Sequence, residues 1–310
     1  MASTPPKTAP TDHVTHVRDC VRQLDGISWL IGCTRLLRCV KGPPPIPTPD
    51  GGPLPPDGHV RQIHDAGDAS AVLSFGNELI VQVRVAEEIT RREHETIAFL
   101  LEKPLSFDIP KVLFYTEEKF KVYLIEPFVP GKRLNEAGWD MAEQEKAHVV
   151  TRVAGIAAEL AAFRPDEFTW ADANWLDPFQ ERPRNRNPPA LQNHCESLGM
   201  DCSIFVLPDN DLGPTSIVVN GDRIAVLSWE MAGYAPLAWV RTKFAICGAL
   251  EVERVGGAGL ETNPEYRVRV EKKLGEMGFT EVTAAYKKMA NERLIEWQKK
   301  HPWTRMQGYQ

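Results

Sequence analysis

The chain has 310 residues, 43% of them hydrophobic and 25% charged, which is enough sequence for one large domain or two lobes around a sizeable core. Its net charge of -6, with 36 Lys and Arg scattered among 42 Asp and Glu, excludes the basic footprint that nucleic-acid binders use to neutralise phosphates. Six cysteines, Cys20, Cys33, Cys39, Cys195, Cys202 and Cys247, form no CxxC pair and no Cys/His grouping at zinc spacing. That excludes a metal framework of the zinc-finger kind and leaves buried, reduced thiols as the expectation, in keeping with a cytoplasmic protein.

The N-terminal "MASTPPKTAPTDH" lacks the basic-then-apolar order of a signal peptide, and residues 1–12 are expected to be disordered. The stretch "ISWLIGCTRLLRCV" is 14 residues long with Arg35 and Arg38 inside it, short of the ~20 apolar residues of a membrane span. No membrane segment is expected. Apolar spacing at i, i+3 and i+4 predicts a helical N-terminal extension over 13–42. Eight prolines between Pro43 and Pro56 then fix an extended backbone and remove amide donors, predicting a linker over 43–57.

Residues 58–130 read as a small sheet with one helix. "SAVLSFG" and "ELIVQVRV" alternate around the turn signal Gly76-Asn77 and predict a hairpin. The following "EEITRREHETIAFLLEK" predicts a helix with Ile89, Ile97, Leu100 and Leu101 on its apolar face, and "PLSFDIPKVLFY" and "KVYLIEPFVPG" predict two more strands. Residues 131–310 read as mainly helical, beginning with a long amphipathic helix over 140–163 and an acidic, Pro-rich insertion after it. Within 205–234 lies the strongest hairpin signal of the chain, "TSIVV" and "RIAVLSW" around "NGD". Three helical stretches follow, in "WVRTKFAICGALEVE", "EYRVRVEKKLGEMG" and "EVTAAYKKMANERLIEWQKK". His64, His94, His148 and His194 show no partner spacing for a metal site or a nucleophilic triad.

A small antiparallel-sheet lobe followed by a helical lobe that holds a loop, a hairpin and a second loop is the layout of a two-lobed protein-kinase-like α+β fold. The residues "FVLPDNDLGPTSIVVNGDRIAVLSWEMAGYAPLAWVRTK" sharpen this. They resemble the aminoglycoside phosphotransferase family, whose fungal members carry a pattern like F-V-x-T-H-G-D-L-x-P-x-N-I-L-V…I-x-D-W-E-x-A-G-x-x-P-x-x-W-x-x-x-K. The resemblance extends more weakly to the strands and helix upstream, over roughly residues 60 to 250 in all. It implies ATP and magnesium as partners, a small organic acceptor in a cleft between lobes, and a setting in fungal secondary metabolism.

Phosphoryl transfer in such a fold needs cations on the phosphates, magnesium held by an acid and an amide, and an acid to orient the acceptor hydroxyl. On the resemblance, Asp211 is that last acid, Asp209 stands where the family has histidine, and Asn210 where it has glycine. The amide of the metal site is replaced by Ser216 and its aspartate by Ser228, while Trp229, Glu230, Ala232, Gly233, Pro236, Trp239 and Lys243 match the pattern. The lysine of the upper lobe is replaced by Gln82, and Glu93 fits the helix glutamate that would pair with it. Losing one preorganised electrostatic contact typically costs 10² to 10³ in rate, about 3 to 4 kcal/mol, and here three groups are changed. No metal site and no cofactor are therefore expected, ATP and magnesium entering only if the chain is a divergent kinase.

Three readings stay open. In the first, Asp209, Asp211 and Glu230 perform proton transfer on a small molecule in a former phosphotransferase cleft, with Gln82, Glu93, Ser216 and Ser228 lining it. Two acids at i and i+2 repel, raising one pKa toward neutrality. In the second the chain is a non-catalytic pseudokinase that binds a ligand, and in the third it is a divergent small-molecule kinase.

Overall fold

The structure is a computed structural model that describes residues 17–33, 35–38, 59–86, 93–137, 139, 141–164, 188–253 and 262–300. The Pro-rich linker, Ile89 and nearly all of the acidic insertion lie outside the described residues. The chain divides into two compact units, Met1–Glu88 with Val112–Phe128, and Ile89–Lys111 with Val129–Gln310.

The first unit opens with a difference from the sequence reading. The region expected to be helical forms three antiparallel strands, β1 (Val21–Asp25), β2 (Ser28–Ile31) and β3 (Arg35–Arg38), in the order β1-β2-β3. The turn between β1 and β2 is held by the Asp25 carboxylate, which accepts the amide proton of Ile27 at 2.9 Å. All four residues of β2 are buried, so the strand has no exposed face and its apolar residues run on without alternation. Such a run matches helical spacing as readily as strand spacing, which is why periodicity alone misassigns it.

A second, five-stranded antiparallel sheet runs β4-β5-β6-β8-β7, from β4 (Val60–Asp65), β5 (Ser70–Phe75), β6 (Leu79–Val85), β7 (Phe114–Glu118) and β8 (Lys121–Pro127). The expected hairpin joins β5 to β6, with Phe75 opposite Leu79 and Gly76 at a φ of +56°. A side chain there would disfavour that backbone and drive into the His59 ring. Val81 and Val83 point into a core that Trp29 and Ile31 of the first sheet share, with Trp29 edge-on to Phe75 at 5.1 Å. Gln82 alternates to the opposite face and is half-buried.

In the second unit, helix α1 (Glu93–Leu101) buries Ile97 and Leu100, whereas Leu101 is exposed, contrary to the apolar face expected of it. The helix also belongs to this unit and not with the strands that flank it in sequence. A short α2 (Leu134–Ala137) precedes α3 (Glu143–Leu160), where the Glu145 carboxylate caps the start by accepting the Ala142 amide at 3.0 Å. Val149, Val153, Ile156 and Leu160 form its buried stripe. Helix α4 is Pro188–Ser197, and α5 (Leu237–Ile246), α6 (Glu265–Glu276) and α7 (Thr283–Lys300) realise the three expected C-terminal helices. Arg269 of α6 pairs with Glu143 of α3 at 2.8 Å, and Arg241 of α5 with Glu271 of α6 at 2.7 Å.

Between α4 and α5 lie the elements that position the candidate site. Strand β10 (Phe205–Val206) pairs with β13 (Ala235–Pro236). The hairpin of β11 (Ile217–Asn220) and β12 (Arg223–Val226) turns at Gly221, φ +61°, as "NGD" predicts, and β9 (Lys132–Arg133) completes a three-stranded sheet. One loop leads into the hairpin and another leaves it.

Candidate functional site

The loop entering the hairpin runs from Pro208 to Ser216. Its anchor is Asn210, in the left-handed region at φ +68°, where glycine is otherwise favoured and asparagine is tolerated. The buried Asn210 side chain donates to the Met231 carbonyl and accepts from the Trp239 indole, each at 2.9 Å. Tyr266 of α6 donates to the Leu212 carbonyl at 2.8 Å, and the Gly233 amide donates to the Pro208 carbonyl at 3.2 Å. The backbone around Asp209 and Asp211 is thus fixed from three directions.

Asp211 is partly buried, and its Oδ2 accepts a hydrogen bond from Ser216 Oγ at 2.8 Å. Burial pushes its pKa up to about 6, with Glu230 acting in the same direction and the Ser216 hydrogen bond and Lys243 opposing. Asp209 is 1% exposed and neither carboxylate oxygen has a hydrogen bond among the described residues. Burial, and then the neighbouring Asp211, Glu93 and Glu230, hold its pKa well above the usual carboxylate range, against the pull of Lys243. Repulsion between the two acids is therefore secondary to desolvation, and both are raised instead of one. Lys243, on α5 and itself buried, is pushed down to about 8 by burial, opposed by Cys247, Asp211 and Asp209.

A cavity of about 20 Å³ lies among Asp209, Asn210, Leu212, Val240, Lys243 and Phe244. It has room for about one water molecule, for which ≳ 10–15 Å³ of such space is needed.

The loop leaving the hairpin is built differently. Ser228 also sits in the left-handed region, φ +61° and ψ +70°, and starts a 3-10 turn over Trp229–Met231. The Trp229 amide donates to Glu93 Oε1 at 2.7 Å in a fully buried bond, while its indole donates to the Val226 carbonyl at 3.1 Å and its ring stacks on Phe107. Glu230 is partly buried and close enough to raise both aspartates. In the first unit, Gln82 donates to Glu126 Oε2 at 3.0 Å across β6 and β8.

The second unit thus gathers Asp209, Asp211, Glu230 and Glu93 into one electrostatic neighbourhood, with Ser216 bonded to Asp211. Gln82 and Glu93 each have a partner of their own, Glu126 and the Trp229 amide. Sequence reasoning noted Lys243 only as a match to the family pattern and missed its place beside both aspartates. Its position four residues after the tryptophan, Trp239, that clamps Asn210 is the signal that finds it, since i and i+4 share a helix face. Tyr266, 54 residues from the carbonyl it holds, leaves no local signal.

No protein-family model matches the chain, and no curated protein does. Among solved structures, the ADP-bound aminoglycoside phosphotransferase APH(2'')-Ib aligns at a TM-score of 0.50 and 17% identity, over 77% of this chain and 83% of that one. The streptomycin and ATP complex of APH(2'')-IIa aligns at 0.49 and 16%, over 77% and 83%, and APH(3'')-Id from Streptomyces rimosus at 0.49 and 12%, over 74% and 91%. The first of these shows the fold: α+β, with antiparallel sheets toward the N-terminus and helices toward the C-terminus, like the kinase-like fold of the aminoglycoside phosphotransferases.

Proposed function

We propose that the chain acts on a small organic molecule by proton transfer, on a phosphotransferase-like scaffold that has given up magnesium-assisted phosphoryl transfer. The observation that carries this reading is Asp211, a partly buried acid with a pKa of about 6, oriented by a 2.8 Å bond from Ser216. A group poised near neutral pH exchanges protons efficiently in either direction. Burial pushes the Asp209 carboxyl beside it toward its protonated form, and the Ser216 hydroxyl holds the Asp211 carboxylate through Oδ2.

The donor set does not fit magnesium as a resident ion. Magnesium prefers hard anionic oxygens in octahedral order. At the two positions that the resemblance assigns to metal ligands stand neutral hydroxyls, and that of Ser216 directs its proton at Asp211. Gln82, where a phosphate-binding lysine would stand, is neutral and donates to Glu126. The cytoplasmic location expected from the cysteines and the secondary-metabolite setting that the resemblance implies belong to the same proposal.

Thermal denaturation with millimolar ATP, with and without magnesium or manganese, tests the exclusion of kinase chemistry. Ligand at about 100 times its dissociation constant adds about 2.7 kcal/mol, roughly 5 to 11 °C on the usual scaling. No metal-dependent rise is expected, and a rise of that size overturns the proposal in favour of a divergent kinase. Once a turnover assay exists for a cleft ligand, loss of turnover with retained binding in Asp211→Asn supports proton transfer, and unchanged turnover refutes it.

A further inference from the structure

Helix α4 ends at Ser197 and the chain reverses at Gly199, φ +86°, with the Gly199 amide donating to the Glu196 carbonyl at 2.9 Å and the Met200 amide to the Cys195 carbonyl at 3.0 Å. This left-handed cap folds the following residues back against the helix they have just left. Cys202 consequently packs on the cluster of Leu191, Cys195, Leu198, Met200, Trp239 and Tyr286. Its thiol donates to the Gln192 carbonyl at 3.9 Å, and the Cys195 and Cys202 thiols are within hydrogen-bonding reach of each other. Cys195 is fully buried and Cys202 is partly exposed. Two free thiols in contact, one reachable from solvent and one behind it, have the arrangement of an attacking and a resolving cysteine.

We propose that Cys195 and Cys202 are an oxidisable dithiol whose closure to a disulfide staples the end of α4 to the segment that enters β10. Cys202 leads in three residues to Phe205, and the same segment is tied down by the Leu237 amide, which donates to the Ile204 carbonyl at 3.2 Å. The strand that follows delivers the loop with Asp209 and Asp211, so the staple fixes the approach to that loop. Glutathione disulfide serves as the oxidant. The Cys202 thiolate attacks one sulfur, releasing the first glutathione and leaving a mixed disulfide. Cys195 attacks the Cys202 sulfur and passes its proton to the departing glutathione sulfur, releasing the second glutathione as a thiol. Two protein thiols become one disulfide, two electrons pass to glutathione disulfide, and two glutathione thiols result. Burial pushes Cys202 up to about 11 and Cys195 up to about 12, so both are protonated near neutral pH and closure is slow.

The test incubates the full chain in glutathione buffers of increasing oxidation, alkylates the remaining thiols and maps the peptides by mass spectrometry, with the exposed Cys33 as control for simple glutathionylation. The expected result is a peptide joining Cys195 to Cys202, two hydrogens lighter than the pair of thiols. Its rate of formation should rise about tenfold per pH unit below the Cys202 pKa, following the thiolate fraction. Cys195→Ser should stop at the mixed disulfide on Cys202. Cys202→Ser, at the partly exposed position where the core is not opened, should leave Cys195 an unmodified thiol. The proposal falls if wild-type Cys202 accumulates as an unresolved mixed disulfide. It falls equally if both thiols remain alkylatable under conditions that glutathionylate Cys33.

Discussion

The loops on either side of the β11–β12 hairpin share one backbone device and differ in how it is supported. Each places a non-glycine residue in the left-handed region, Asn210 before the hairpin and Ser228 after it. Asn210 answers the strain with two side-chain hydrogen bonds, to Met231 and from Trp239, so the residue that bends the loop also fastens it. Ser228 makes no capping bond of its own, and that loop is held one residue later, where the Trp229 amide meets Glu93. The contrast teaches where chemistry can change. In the first loop the bend and the anchor are one side chain, and Asp209 and Asp211 keep fixed places around it. In the second the anchor is the backbone of Trp229, so it does not draw on the side chain at 228.

The largest effect that would break this comparison is at Asn210. Replacing it with Ala removes both bonds, strands the buried Trp239 indole and keeps an unfavourable φ, for an expected loss of about 3 to 5 kcal/mol in urea unfolding. Asn210→Gly relieves the strain alone and should recover about 1 kcal/mol of that loss. Ser228→Gly should be neutral or slightly stabilising. Equal costs at 210 and 228 would show that the two loops are anchored alike.

A smaller effect concerns pH. Asp211 has a folded pKa of about 6 against an ordinary 3.8, so the native state holds its proton more tightly than the unfolded chain. The stability this gives is fully present below about pH 4 and is lost as pH rises through about 6, amounting to about 2 to 3 kcal/mol at most. Asp209 is raised by burial and acts in the same sense. Lys243 is lowered to about 8, so its protonation disfavours the native state and stability recovers above that pH. Chemical denaturation across pH 4 to 10 should therefore pass through a minimum between about 6 and 8. Asp211→Asn should flatten the descending limb, and a profile that is the same in both proteins would mean that Asp211 titrates normally.

The smallest expected effect sharpens the role of the second loop. If the hydroxyls at 216 and 228 are what exclude a divalent ion, the double variant Ser216→Asn, Ser228→Asp should gain manganese-dependent stabilisation, since Asp tolerates the left-handed backbone at 228. At ten times the dissociation constant the gain is about 1.4 kcal/mol. A double variant that ignores manganese would place the obstacle in the loop geometry and not in the ligand chemistry.

Much of the fold is legible along the chain because its signals are local. The Asn220-Gly221-Asp222 turn, the Gly76-Asn77 turn and the buried stripe of α3 each depend on neighbours a few residues away. The strands at 21–38 were not legible, since β2 is covered on both faces and the identity of its cover, including Phe75, lies far along the sequence. The donor chemistry of the site was legible too, because two serines and two aspartates at 216, 228, 209 and 211 are facts of the sequence.

Only the tertiary structure decided what those residues can do. Asp209 belongs to a loop with the polar Asn210 and Asp211 directly after it, yet packing from α5 and its surroundings removes it from water and sets Lys243, 34 positions on, beside it. Glu93 finds its partner 136 positions away in the Trp229 amide, and the Cys195 thiol meets Cys202 only because Gly199 reverses the chain. Sequence by itself determines turn chemistry, periodicity and the kind of atoms available. Desolvation, which sets the proton affinities of Asp209, Asp211 and Lys243, depends on atoms brought in from remote parts of the chain and so is decided by the fold.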